Sequence, residues 1–205
     1  MTVATADLRS VKDHRSMTLD QFLKYDDGTD TRYELVDGAL VEMGNESTIN
    51  TRIAVFLIRI FFSLGFEDSD IGIKQKIAVQ SRYVTARDPD LIVHSVESAI
   101  AINERSEACL KIGEPNPLLV VEVASPGDEN SENYKRDYQE KSKEYAARGI
   151  HEYWILDPDR KIVLIGTLVG TAYHYKRYQG DDAIGSPTFP SLTLMVSRIW
   201  KAGHK

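Results

Sequence analysis

Two apolar stretches of this chain each carry one carboxylate, and no other feature constrains the fold as much. Asp90 precedes Leu91-Ile92-Val93, and Glu122 lies inside the run from Leu118 to Val123. Such runs are typical of buried strands in a central sheet, where acids are rare without a partner. An unpaired buried carboxylate is strongly destabilising or binds a proton. The pair therefore predicts a shared cation, and a hard divalent metal with oxygen ligands, Mg²⁺ or Mn²⁺, is the simplest candidate.

Length and composition indicate an ordinary globular protein. Of the 205 residues, 42% are hydrophobic and 27% are charged. No run approaches the roughly 18 apolar residues of a membrane span. We expect a mobile arm over residues 1–16 and one domain over residues 17–205. Cys109 is the only cysteine and the N-terminus lacks the apolar stretch of a signal peptide, so we expect a cytoplasmic location.

The charge balance limits how this chain can bind nucleic acid. It has 25 Lys and Arg against 31 Asp and Glu, a net charge of −6, so any contact with DNA is expected to be weak and local. Solvated chain ends are the simplest explanation for the basic residues near both termini. These residues are Arg9, Lys12, Arg15, Arg198, Lys201 and Lys205.

Local patterns predict an α/β fold that borders on α+β, with a central mixed sheet flanked by helices and an N-terminal β-hairpin. Thr18 to Gln21 forms a capping box that begins a short helix, and Asp37-Gly38 between two strand-like runs predicts the hairpin. Apolar residues at three- and four-residue spacing predict helices over 47–64 and 131–148. The predicted strands cover 71–79, 91–94, 118–124, 153–156, 161–169 and 172–178, and residues 97–113 hold either a helix or an excursion.

Lys141 shares one face of the second predicted helix with Tyr134, Tyr138 and Tyr145. A lysine on a buried stripe usually extends its ammonium to the rim. Here it can instead reach the end of the strand that carries Glu122. We therefore expect Asp90, Glu122 and Lys141 to converge in one open cleft.

The order of strand acid, strand acid and basic residue resembles the PD-(D/E)XK superfamily of restriction-endonuclease-like nucleases. Pro89-Asp90 matches the first motif, and Glu122-Val123-Ala124 stands at Glu-x-Lys with alanine in the lysine position, so Lys141 is the matching basic residue. More narrowly, the chain is similar to the family catalogued as domain of unknown function 820, over most of residues 17–195. The matching segments are 33–38, 87–90, 120–126, Asp137, Lys141, Tyr145, Gly149 and 152–155. Asn50 stands where many members have histidine.

The resemblance implies an endonuclease that hydrolyses DNA phosphodiester bonds with Mg²⁺ or Mn²⁺. Asp90, Glu122 and the Val123 carbonyl would hold the metal, Lys141 would orient the attacking water and offset charge on the phosphate, and Glu34 would be a third acid. It also implies a possible homodimer.

The residues alone leave other interpretations open. Asp90 and Glu122 can be satisfied by backbone amides or by a structural ion pair with Lys141, and Glu34 can be an exposed hairpin residue. Gln75 is a weak candidate beside the site, and His94 is more simply a sheet-edge histidine. The chain can therefore also be an inactive nucleic-acid-binding or assembly module, or a nuclease for RNA or single strands.

Overall fold

The computed structural model describes residues 16–44 and 47–203. Residues 1–15 of the predicted arm and Lys205 lie outside the described residues. The single domain over residues 17–205 stays a prediction. The helices are α1 (Leu19–Leu23), α2 (Thr48–Ser63), α3 (Val96–Asn103), α4 (Glu132–Tyr134), α5 (Lys141–Arg148) and α6 (Val196–Gly203), and a π-helical turn (Lys135–Glu140) joins α4 to α5. The strands are β1 (Tyr33–Val36), β2 (Ala39–Glu42), β3 (Ile71–Gly72), β4 (Lys76–Val79), β5 (Thr85–Arg87), β6 (Leu91–Val93), β7 (Cys109–Leu110), β8 (Leu119–Val123), β9 (Glu152–Asp157), β10 (Ile162–Val169), β11 (Ala172–Gln179), β12 (Ala183–Ile184) and β13 (Leu194–Met195).

Most strands belong to two mixed sheets. One has the order β2-β1-β5-β4-β7 and the other the order β11-β10-β9-β8-β6-β3. Each sheet contains one parallel pair, β4 with β7 and β8 with β9, and its other pairs are antiparallel. The predicted mixed α/β fold is confirmed. The chain passes from the first sheet to the second across Asp88-Pro89-Asp90, which joins β5 to β6.

Helices cover both faces of the six-stranded sheet. Val121 and Val123 of β8 pack with Ile53 of α2 in the larger core cluster, whereas Val120 packs with Tyr145 of α5 in the second. Successive side chains of a strand point to opposite faces, so Glu122 shares the α5 face with Val120. The strand pattern thus directs this one acid of β8 toward the helix that carries Lys141.

The structure corrects several of the predicted elements. The strand predicted over 71–79 is wrong, because β3 and β4 belong to different sheets and are separated by exposed Ile73 and by Lys74 with φ of 55°. Strand β5 was not predicted from its polar residues, although it is fully buried. Residues 97–113 contain most of α3 and the short strand β7. The long helix over 131–148 is interrupted by the π-helical turn.

None of the helices in the described ranges combines the length and apolar composition needed to cross a bilayer.

Candidate active site

A cavity of about 240 Å³ lies between the hairpin β1–β2, the start of α2, the end of β8 and the π-helical turn. Asp90, Glu122, Lys141 and Glu34 all line it, so the expected convergence is observed. Among the described residues, its lining contains six carboxylates and three cationic side chains. The carboxylates are Glu34, Glu42, Asp88, Asp90, Glu122 and Asp137, and the cations are Arg32, Arg136 and Lys141.

Three elements meet at Val123, the last residue of β8. The backbone N–H of Val123 donates to Asp90 Oδ2 at 2.7 Å, and Asn50 Nδ2 of α2 donates to the Val123 carbonyl at 3.3 Å. Asp90 thus lies beside the residue whose carbonyl was predicted as a metal ligand. Asn50, which stands at the histidine position of the resemblance, is part of the same site.

Glu122 and Lys141 form a buried ion pair at the floor of the cavity. Lys141 Nζ lies 2.7 Å from Glu122 Oε2, and the Tyr145 hydroxyl donates to Glu122 Oε1 at 3.0 Å. Burial raises the pKa of Glu122, and the nearby Asp90, Asp137 and Glu34 raise it further against the opposing effect of Lys141. Burial lowers the pKa of Lys141, but Glu122, Glu34 and Asp137 outweigh it, so the pKa lies above its usual value. The ammonium is therefore charged, in surroundings that hold more negative than positive charge.

Glu34 is buried, not exposed as a hairpin residue often is. Its carboxylate contacts Arg87 at 2.9 Å and Lys141 at 3.5 Å, and it accepts from the backbone N–H of Asp88 at 3.2 Å. Burial disfavours the ionised form, but Lys141 and Arg87 outweigh it and lower the pKa of Glu34 to about 2. Glu34 therefore carries a negative charge in the folded protein at neutral pH.

Arg87 of β5 connects Glu34 to the helix that carries Lys141. It is fully buried, and its guanidinium makes two hydrogen bonds to Glu144 at 2.7 and 2.8 Å and a third contact to Glu140 at 3.3 Å. A two-point bond between arginine and a carboxylate fixes both direction and distance. Arg87 therefore holds α5 and β1 in one arrangement around the ammonium of Lys141.

The π-helical turn brings Asp137 into the site. Asp137 Oδ1 contacts Arg136 at 2.9 Å and Lys141 at 3.7 Å, while Asp137 Oδ2 accepts from the backbone N–H of Ser125 at 3.0 Å. Asp137 thus forms ion pairs with both Arg136 and Lys141. The predicted stripe agrees with two contacts: Tyr138 packs against the core cluster that contains Tyr145, and its ring stacks on that of Tyr134 at 4.2 Å. The Tyr138 hydroxyl donates to Asp157.

Asp88 is a site residue that the sequence did not single out. It is 5% exposed and lines the cavity, its Oδ2 pairs with Arg32 at 2.9 Å, and its buried Oδ1 has no hydrogen-bond partner. Its position two residues before Asp90 was the available signal, since such residues share a side in extended chain.

Comparison with known proteins gives the family. A family model described as "Uma2: Putative restriction endonuclease" matches residues 19–197. The chain belongs to this family. The chain is also similar to a solved structure described as a "putative nuclease belonging to DUF820 from Anabaena variabilis", with a TM-score of 0.66 and 18% identity over 91% of this chain and 99% of that one. At that identity the likeness establishes the restriction-endonuclease-like fold. No curated protein matches the chain.

Two polar residues considered as candidates in the sequence lie away from the cavity. His94 bonds Gln75 Oε1 at 2.7 Å through Nε2 and Ser98 Oγ at 3.0 Å through Nδ1, and neither His94 nor Gln75 lines the cavity. Burial lowers the pKa of His94 to about 4, with Asp70 opposing the shift. The interpretation of His94 as a satisfied sheet-edge residue agrees with these contacts.

The oxygen atoms of the cavity fit a hard cation that keeps part of its water shell. In the described part of the chain, no group of three or more His, Cys, Asp or Glu side chains is arranged to enclose a metal. Mg²⁺, however, is commonly bound through one or two carboxylates, with water and substrate phosphate as its other ligands. The excess of carboxylates and the unpartnered oxygen of Asp88 both favour a positive ion here.

Proposed function

We propose that this protein is an endonuclease that hydrolyses DNA phosphodiester bonds with Mg²⁺ or Mn²⁺. The observation that carries the proposal is the convergence of Asp90, Glu122 and Lys141 in one open cavity. The family description and the fold support a nuclease. The metal and the DNA substrate rest on the chemistry of the lining.

Asp90, Glu122 and the carbonyl of Val123 would hold the metal. When bound, such an ion supplies an activated water and neutralises charge on the phosphate. The second lone pair of the Val123 carbonyl remains for a ligand beside the hydrogen bond from Asn50. Asn50 and the Asp90 bond to the Val123 N–H fix this end of β8, so that oxygen donors from two strands point into one space.

Lys141 would stabilise negative charge on the phosphate during the reaction. Its ammonium is fixed by Glu122 and Glu34, and these are held by Tyr145 and Arg87. A donor held in place within a partly dry site acts more strongly on developing charge than a mobile one in water. Lys141 is thus assigned to transition-state stabilisation, with Glu34 as a positioning residue.

Two arginines at the opening are suited to the phosphates of a nucleic acid. Arg32 and Arg136 have side chains that are 36% and 28% exposed, and each is anchored to a buried carboxylate, Asp88 or Asp137. Guanidinium groups bind phosphate oxygens with directional hydrogen bonds. Local contacts of this kind suit a chain whose net charge is −6.

A cleavage assay tests the proposal. Purified protein with Mg²⁺ or Mn²⁺ should nick supercoiled plasmid, EDTA should stop the reaction, and Asp90→Asn should remove it. Asp159→Asn, which makes the same charge change at an exposed residue, is the matched control. Panels of single-stranded DNA and RNA decide between DNA and the alternative substrates. Nicking that survives Asp90→Asn would contradict the proposal.

Titration calorimetry with Mn²⁺ tests the metal apart from catalysis. We expect binding by the unaltered protein and by Asp159→Asn, and none by Asp90→Asn, because a carboxylate ligand is lost. Analytical ultracentrifugation checks the expected homodimer.

One observation favours the alternative of an inactive nucleic-acid-binding or assembly module. Both Glu122 oxygens already accept hydrogen bonds, from Lys141 and Tyr145, as a structural ion pair would require. In that case Mn²⁺ would give no binding heat and no nucleic acid would be cut, while duplex DNA or a protein partner would still bind.

A further inference from the structure

The outer surface of α2 and α6 carries positive charge without acidic residues. Arg52 and Arg59 of α2 and Arg198 and Lys201 of α6 are all exposed, and neither helix contains Asp or Glu. The chain as a whole has six more acids than Lys and Arg. The sequence alone favoured solvated chain ends for Arg198 and Lys201, but both lie on a helix packed against α2.

Arg59 and Arg198 line one concavity of about 280 Å³ at the seam between the two helices. The hydroxyl residues Ser63 and Thr193 line it as well, and no acid does. Within residues 16–44 and 47–203, neither arginine has a carboxylate within ion-pair distance. The Arg198 guanidinium lies 5.9 Å from the centre of the Phe56 ring, which orients it along the seam. Two guanidinium groups without an acid form a site for an anion.

The surface leads from this concavity toward the candidate active site. The helices are antiparallel, since Gly203 of α6 packs against Ile49 and Ile53 near the start of α2, while Arg198 lies over Phe56. Lys201 and Arg52 therefore lie on the side nearer the cavity, which Asn50 lines. Arg59 follows Arg52 by seven positions of the helix, a rise of about 10 Å, or about three base pairs of duplex at roughly 3.4 Å each.

We infer that the α2–α6 surface binds the phosphate backbone of the DNA substrate beside the site of cleavage, with Arg59 and Arg198 on one phosphate group. The inference rests on the proposed DNA substrate. Binding at this surface would be independent of base sequence, because guanidinium contacts to phosphate position the duplex without reading its bases.

The test measures the binding of a fluorescent 20-base-pair duplex by anisotropy in EDTA, so that no cleavage occurs. We expect Arg59→Gln/Arg198→Gln to weaken binding about tenfold and to reduce the slope of log K against log salt by about 1, since each lost phosphate contact contributes about 0.9. The matched control is Lys176→Gln/Arg177→Gln on β11, which removes the same charge from exposed residues. It should change affinity less than twofold and leave the slope unchanged. Arg52→Gln/Lys201→Gln should also weaken duplex binding, and it tests the same surface with different residues.

The outcomes separate this inference from the nuclease proposal. If the protein binds duplex through this surface but cuts nothing, the nuclease proposal fails and the inference stands. If the protein cuts DNA and the Arg59/Arg198 variant keeps full affinity and slope, the inference is overturned alone. Equal weakening by the control pair would mean a bulk charge effect and would also overturn it. The inference would also be overturned if the Arg59/Arg198 variant kept its DNA affinity but changed its oligomeric state, because the surface would then join copies of the chain.

Discussion

Glu122 and Glu152 lie on the adjacent parallel strands β8 and β9, and both are buried, yet their surroundings differ in kind. Glu122 faces a cavity with a cation and several further acids around it. Glu152 is fully enclosed and accepts hydrogen bonds from Trp154 Nε1 at 2.5 Å, Ser186 Oγ at 2.7 Å and the Thr188 N–H at 3.0 Å.

Burial of an acid does not by itself indicate a functional site. Neutral donors surround Glu152 and leave no space for a ligand, so its carboxylate ties β9 to the segment before the C-terminal helix. Around Glu122 the negative charge exceeds what Lys141 can offset, and open volume adjoins it. Unbalanced charge next to a cavity is the feature that points to a bound cation.

The largest expected effect is on stability, from removing the cation of the charged cluster. Lys141→Met should lower the free energy of unfolding by about 3 to 5 kcal/mol, because Glu122, Glu34 and Asp137 lose their shared partner. Urea denaturation of the two proteins measures this difference in the free energy of unfolding. Adding Glu122→Gln should recover part of the loss, and Lys143→Met at an exposed position of the same helix should cost under about 0.5 kcal/mol. A loss that small for Lys141→Met would contradict the charged-cluster description.

The same substitution should affect cleavage at Glu122 and not at Glu152. Glu122→Gln is expected to lower the cleavage rate on the order of 10²-fold or more and to abolish Mn²⁺ binding, since one anionic ligand is lost. Glu152→Gln should leave both unchanged per folded molecule. Initial rates of plasmid cleavage and titration calorimetry measure the cleavage rate and the Mn²⁺ binding. Equal losses of rate in both variants would contradict the assignment of different roles to Glu122 and Glu152.

Glu152→Gln should instead lower stability by about 2 kcal/mol. Its amide N–H₂ cannot accept the hydrogen bond of Thr188, so two donors face each other in a buried place. Urea unfolding of this variant against Glu129→Gln, an exposed matched change, tests the expectation. No difference between the two would mean that the Glu152 contacts add nothing to stability.

The smallest effect concerns His94, another buried polar group with neutral hydrogen-bond partners. The folded protein takes up its proton only near pH 4, whereas the unfolded chain does so near pH 6.5, so stability falls as pH drops through that window. Between pH 7.5 and 5.5 the loss should be about 1 kcal/mol, and His94→Gln should lack that part of the pH dependence. Parallel stability curves for the two proteins from pH 7.5 to 5.5 would show that His94 plays no part.

Much of the fold follows from local sequence. Asp37-Gly38 has both residues at positive φ, as a tight hairpin requires, and Thr18 with Gln21 forms the expected capping box. Strand β5 was missed because Thr85 and Arg87 are polar, and their burial depends on partners far away in the chain, such as Glu144. Local patterns cannot supply a partner 57 residues distant.

The candidate site was predictable where motif and periodicity agreed. Asp90, Glu122 and Lys141 were placed correctly in space, because alternation along β8 and the helical stripe both direct side chains to one side. The burial of Glu34 was not, since it depends on Arg87. Arg87 is 53 residues away from Glu34 in the chain, and local patterns do not reveal a partner at that distance. Asp137 lies four residues before Lys141, so helical spacing already directs it to the face of Lys141.

Within the described ranges, Asp88-Pro89-Asp90 is one of two three-residue links between the two sheets, the other being residues 73–75, and its shortness has a mechanical consequence. Three residues span at most about 10 Å, and the proline ring fixes one of the few torsions that could bend. Glu34 belongs to one sheet and Asp90 leads into the other. A change in the angle between the sheets would therefore change the distance between the carboxylates of Glu34 and Asp90.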